Sequence, residues 1–175
     1  MQERNSQKGR SMIEMIAVLA IIGIITVGAI AGINQGFVKY RTSKTFTEIR
    51  AINQGIASMY AYRRYYTSAL DMPEACNSRV FPSGCDDTGL NMTAVNPFGG
   101  FYEYEGLVCD EDGNCEGNCG VKCTSMRISA SGVPAAACQE LMNLEWGKYL
   151  RGNAENSMAC LPRDEEIQTF SIIMD

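Results

Sequence analysis

The stretch Lys8–Ile33, KGRSMIEMIAVLAIIGIITVGAIAGI, decides the fold. After Glu14 no charged residue occurs from Met15 to Ile33, a run of nineteen positions. A helix rises about 1.5 Å per residue, so the run covers roughly 28 Å, close to the hydrocarbon core of a bilayer. It is rich in Ile, Ala, Val and Leu and contains no proline. Residues 1–10 before it are short, polar and net basic. A secretory signal peptide would place a small-residue cleavage site after the apolar run. Here the run passes instead into Asn34, Gln35 and Gly36, with no convincing A-x-A signal.

Working outward, the helical pattern continues. Phe46, Ile49, Ile52 or Asn53, Ile56, and Met59 or Tyr60 recur every three to four residues. Lys44, Glu48 and Arg50 fall on other faces of that helix. The pattern predicts one helix over 10–62, about 12–34 of it embedded in membrane. Its one-sided second half needs a partner, and a sheet in a globular head over 63–175 supplies one. The expected fold class is α+β: a long N-terminal helix packed on an antiparallel, disulfide-bonded sheet.

Beyond residue 70 the signals shorten. Pro73, Pro82, Pro97 and many glycines favour loops and short strands. Phe101–Val108 alternates at first and predicts a strand, as do Met126–Ser131 and Glu166–Ile173. Asp112-Gly113 is a hairpin-turn pair. Pro134–Leu150 reads as a short helix with proline in its first turn.

Eight cysteines lie between Cys76 and Cys160 and none before them. An even number among Gly, Asn and Asp predicts a disulfide framework in an oxidising compartment. Cys76 and Cys85 bracket a loop and suggest a local bridge. Cys109, Cys115, Cys119 and Cys123 are spaced too widely for the usual paired zinc ligands, so disulfides are preferred there too. Asp110-Glu111-Asp112-Gly113-Asn114 has the oxygen density of a calcium loop, with Asp110 and Asp112 as ligand candidates. It lacks the full D-x-D-x-D-G pattern and the closing Glu, which favours a solvated turn.

Charge is divided along the chain: net +6 up to residue 70 and net −11 after it. An acidic head repels phosphate, so no nucleic-acid partner is expected. There is no histidine, which removes serine–histidine and cysteine–histidine catalysis. With no phosphate loop and no distinctive carboxylate pair, neither an enzyme nor a cofactor is expected.

Lys8-Gly9-Arg10-Ser11-Met12-Ile13-Glu14-Met15 resembles the type III signal of prepilins: a basic leader ending in Gly, then an apolar helix with Glu at its fifth position. The resemblance implies that prepilin peptidase cuts between Gly9 and Arg10, making 1–9 a leader and Arg10 a site of N-methylation. Arg10 departs from the apolar residue common there. The resemblance also implies that Glu14 meets the freed N-terminal amine of a neighbouring subunit. A carboxylate within an apolar helix costs on the order of 2.5–3.5 kcal/mol in membrane, so it needs such a partner.

Asn96-Pro97-Phe98-Gly99-Gly100 is similar to the N-P-W-G-G turn of type IVb pilins, the class of conjugative thin pili and toxin-coregulated pili. Ile128–Pro134, Ala137–Leu141 and Ala159-Cys160 resemble their C-terminal region, where a helix cysteine is bridged to a later one. That likeness implies a Cys138–Cys160 disulfide. The family implies a filament subunit, major or minor, that polymerises with itself or other pilins through inner-membrane assembly machinery. It would be stored with its N-terminus cytoplasmic and its head periplasmic, then placed in an extracellular fibre. The alternative is a pseudopilin of a type II secretion system, which shares the N-terminus. Its D-P-W-G-x-P-Y turn is matched only partly by residues 96–102.

Overall fold

The computed structural model describes residues 12–63, 65–87, 92–110, 114–117, 119–120, 122–146, 150, 157–162 and 167–174. The chain divides into two units, one ending at Val38 and one from Lys39 to Asp175. Helix α1 runs Met12–Tyr60. In the first unit every described residue up to Phe37 is exposed and none is buried.

In the second unit α1 buries Thr42, Thr45, Glu48, Ile49, Ile52, Asn53 and Ile56. The three- and four-residue spacing puts these on one face. The sequence reading placed Ile49, Ile52 and Ile56 on that stripe but Glu48 off it. Glu48 is in fact buried, at 3 % exposure, because hydroxyl groups of the head reach it.

The stripe faces an antiparallel sheet of β1 (Cys85–Asp87), β2 (Met92–Val95), β3 (Phe101–Cys109), β4 (Cys115–Glu116), β5 (Ser125–Pro134), β6 (Met158–Pro162) and β7 (Ile167–Met174). Their order is β1-β2-β3-β5-β7-β6, with β4 paired to β3. Register places Tyr102, Ala130, Phe170 and Cys160 in one row, and Tyr104, Ile128, Ile172 and Met158 in the next. These rows, with Met126 and Met174, form the inner face. Alternate residues Glu103, Ser129, Ser171 and Ala159 lie on the outer face, as the two-residue period of a strand requires. At one end of that outer face Leu107, Cys109 and Ile173 form a small separate cluster with Cys115.

Two expectations about helices are corrected. Pro73 was read as loop punctuation, yet α2 spans Met72–Asn77. Asp71 caps it, accepting from the Glu74 amide at 3.1 Å. Proline in a first turn lacks only an N–H that would have no helical partner. Helix α3 covers Ala135–Met142 and not Pro134–Leu150. Pro134 is its N-cap residue, and Asn143 closes the last turn. The chain then doubles back so that Trp146 donates its indole N–H to the Leu141 carbonyl at 2.9 Å. Its ring stacks on Phe170 and meets Phe46 edge-on. Burying that ring outweighs continuing the helix.

Strand β7 ends one residue beyond the expected strand, and Glu166 lies outside the described residues. Strands β1, β2, β4 and β6 were not read from the sequence at all. The Asn96–Gly100 segment forms a tight turn. Asn96 Oδ1 accepts from the amides of Phe98 and Gly100, and its Nδ2 donates to Ser131 O at 2.7 Å. A Cβ on Gly100 would collide with the Ser131 carbonyl oxygen, so glycine there admits the bulge backbone near Gly132.

Candidate assembly and anchoring site

Glu14 sits in the first described turn of α1, exposed between Ile13 and Met15. A carboxylate there is favoured by the positive end of the helix dipole. Among the described residues no side chain pairs with it. Gly9 and Arg10 lie outside the described residues. From Met12 to Ile33 the helix presents Ile, Leu, Val and Met to its surroundings, Ile13 at 79 % exposure and Leu19 at 66 %. Its most apolar window has a mean hydropathy of 2.7, and the helix is long and apolar enough to cross a membrane. So much uncovered apolar surface demands lipid or other apolar helices. Gly28, Gly32 and Gly36 have no atom within 4 Å of a notional Cβ, which leaves their edge open to a close neighbour.

In the second unit a polar clamp holds α1 to the head. The Glu48 carboxylate accepts from the Ser83 hydroxyl at 2.5 Å and from the Tyr102 hydroxyl at 2.9 Å. Lys44 Nζ lies 3.6 Å away, half in solvent, so its pairing adds little. Burial, and then the charge of Glu48, push the Tyr102 hydroxyl pKa well up and keep it a donor. Further along α1, Tyr60 meets Tyr66 edge-on and shares a 2.6 Å hydrogen bond with Thr67. Tyr104 donates to the Thr67 carbonyl. Burial is the main cause of its raised pKa. These tyrosines are packing residues, and Tyr62 alone of the group is fully exposed.

Residues 4–30 match the family of the prokaryotic N-terminal methylation motif. The chain carries a prepilin-type N-terminus. The matched span includes Gly9, Arg10 and Glu14, and with the apolar helix it supports a prepilin-processed, type IV pilin-like protein anchored in membrane before assembly. Pilins and pseudopilins share this motif. No curated protein matches the chain significantly.

Behind the prepilin-type segment the head holds four disulfides: Cys76–Cys85, Cys109–Cys115, Cys119–Cys123 and Cys138–Cys160. The last ties α3 to β6, closing the longest loop, and contributes roughly 3–4 kcal/mol in the chain-entropy account. The Cys109–Cys115 bridge joins the end of β3 to β4, and the Cys119–Cys123 bridge lies just before β5. Just after β3, Asp110 is exposed. Its Oδ1 accepts from the Asn114 amide at 2.7 Å and its Oδ2 from the Asn114 side chain at 3.1 Å. Those bonds join the two sides of the turn, while Asp112, the other calcium candidate, lies outside the described residues. Among the described residues no group of three or more His, Cys, Asp or Glu is placed to hold a metal.

Sequence reasoning missed Glu48, Asn96 and Trp146 as structural anchors. The first has a faint signal: a lone acid on a helix whose opposite strand carries alternating Tyr102 and Tyr104. Asn96 and Trp146 act through contacts distant in sequence.

Proposed function

We propose that this protein is a structural subunit of a type IV pilus-like filament, of the type IVb class. Residues 1–9 serve as leader, 10–62 as the assembly helix and 63–175 as the exposed head. The single observation that carries this reading is the prepilin-type motif running directly into an uncovered apolar helix. Prepilin peptidase removes Met1–Gly9, and the new Arg10 amine is the atom that the motif's methylation would modify. Before assembly the subunit sits in the inner membrane, N-terminus cytoplasmic and head periplasmic. Inner-membrane machinery then moves it into the fibre, where Glu14 pairs with the Arg10 amine of a neighbour. The α3–β6 bridge through Cys138 and Cys160, followed by the last strand, supports a pilin over a secretion pseudopilin.

Processing tests this directly. Coexpression with a prepilin peptidase is expected to leave a chain beginning at Arg10, read by intact mass. Gly9→Val is expected to keep all 175 residues, because the peptidase needs the small residue at the cut. A full-length wild-type chain beside an active peptidase removes the leader assignment and the filament reading with it.

A further inference from the structure

We propose that Lys39, Tyr40 and Arg41 form a collar that binds the headgroups of anionic phospholipid. The inference rests on the membrane-anchored stage proposed above and not on assembly into a fibre. From Met15 to Thr47 the chain contains no Asp or Glu, so the cations that follow the apolar run have no acid within a helical turn except at Lys44. Lys44 reaches Glu48, whereas Lys39 and Arg41 are exposed and make no ion pair among the described residues. Tyr40, between them, is 65 % exposed. The head begins to cover α1 only at Thr42.

Geometry selects lipid as the occupant. Lys39 lies six residues beyond Ile33, a rise of about 9 Å along a helix. The polar layer of a bilayer extends roughly 5–8 Å beyond the hydrocarbon on each side. Side chains on a helix lean toward its N-terminus, here back toward the apolar run. Lys39 and Arg41 therefore reach phosphate depth with their stems along the interface, as long cationic side chains do. Tyr40 adds the amphipathic ring typical of that level. An acidic head of a second copy would satisfy the charges but gives no reason for the tyrosine.

The full-length chain in bilayers of phosphatidylcholine, with brominated phosphatidylglycerol or brominated phosphatidylcholine as quencher, tests the collar. Tyr40→Trp is the reporter and Phe37→Trp, one turn earlier, a second; the native chain, whose Trp146 is 1 % exposed, is the blank. Quenching is expected to favour phosphatidylglycerol about fivefold, and Lys39→Gln with Arg41→Gln should make the two lipids equal. Equal quenching in the reporter with both cations intact overturns the proposal. So does no quenching by either lipid in a chain that resists alkaline carbonate extraction, since the collar then has another occupant. A chain that carbonate extracts overturns the membrane-anchored reading itself, and the collar falls with it.

Discussion

Glu14→Ala is expected to leave the protein inserted in membrane with a folded head, and to remove it from surface fibres. In the anchored subunit Glu14 lies at the start of the apolar run, near enough to the membrane face to be hydrated at little cost. In the proposed fibre it would enter a core made of helices like α1, where an unpaired carboxylate costs several kcal/mol. On the proposed reading the Arg10 amine of a neighbour would offset that cost only at one axial step, and the pair would act as a register mark. Alanine removes the mark without disturbing the span, whose apolar residues from Met15 to Ile33 are untouched. Sheared surface fractions, probed with an antibody to the head, are expected to lose essentially all of the variant, while the membrane fraction keeps it. Equal fibre from both chains would refute the register role. A monomeric membrane-anchored domain would show no effect in any assay.

The second large effect is in the head. Trp146 is 1 % exposed, stacked on Phe170 with ring centroids 5.6 Å apart and edge-on to Phe46 at 4.6 Å. It joins α1, the segment after α3, and β7 in one contact. Trp146→Ala removes that filling and one of the donors to the Leu141 carbonyl, which keeps the Leu144 amide, a cost of about 3–5 kcal/mol. A domain's whole stability is commonly only 5–15 kcal/mol, so the midpoint of denaturant unfolding is expected to fall steeply. Trp146→Phe keeps most of the ring packing and is expected to recover much of the loss. Unfolding curves that coincide for wild type and Trp146→Ala would show that the ring does not hold the head.

How much of this was legible beforehand follows from the range of the forces involved. The long helix, β3, the core of β5 and β7 are written locally, in periods of 3.6 and 2 that a short window reveals. Strand β6 is not, because Met158–Pro162 contains Pro and Cys and becomes a strand only by pairing with β7. The end of α3 was misjudged because Trp146 is drawn to Phe46, a hundred positions earlier, and not because the local residues forbid a helix. Glu48 was placed on the wrong face since charge normally means solvent, and only Ser83 and Tyr102 make its burial affordable. The prepilin-type motif was the clearest part, because a local pattern within residues 4–30 carries it and its reading needs no fold.

On the proposed reading this chain is a processed subunit inside a fibre. Mass analysis of the polypeptide in fibres sheared from cells expressing the unaltered protein tests it most directly. The account predicts a chain that begins at Arg10, contains no free thiol, and yields a peptide linking Cys138 to Cys160. A chain that still begins at Met1, or one found only in the membrane fraction beside fibres made of other subunits, would contradict it.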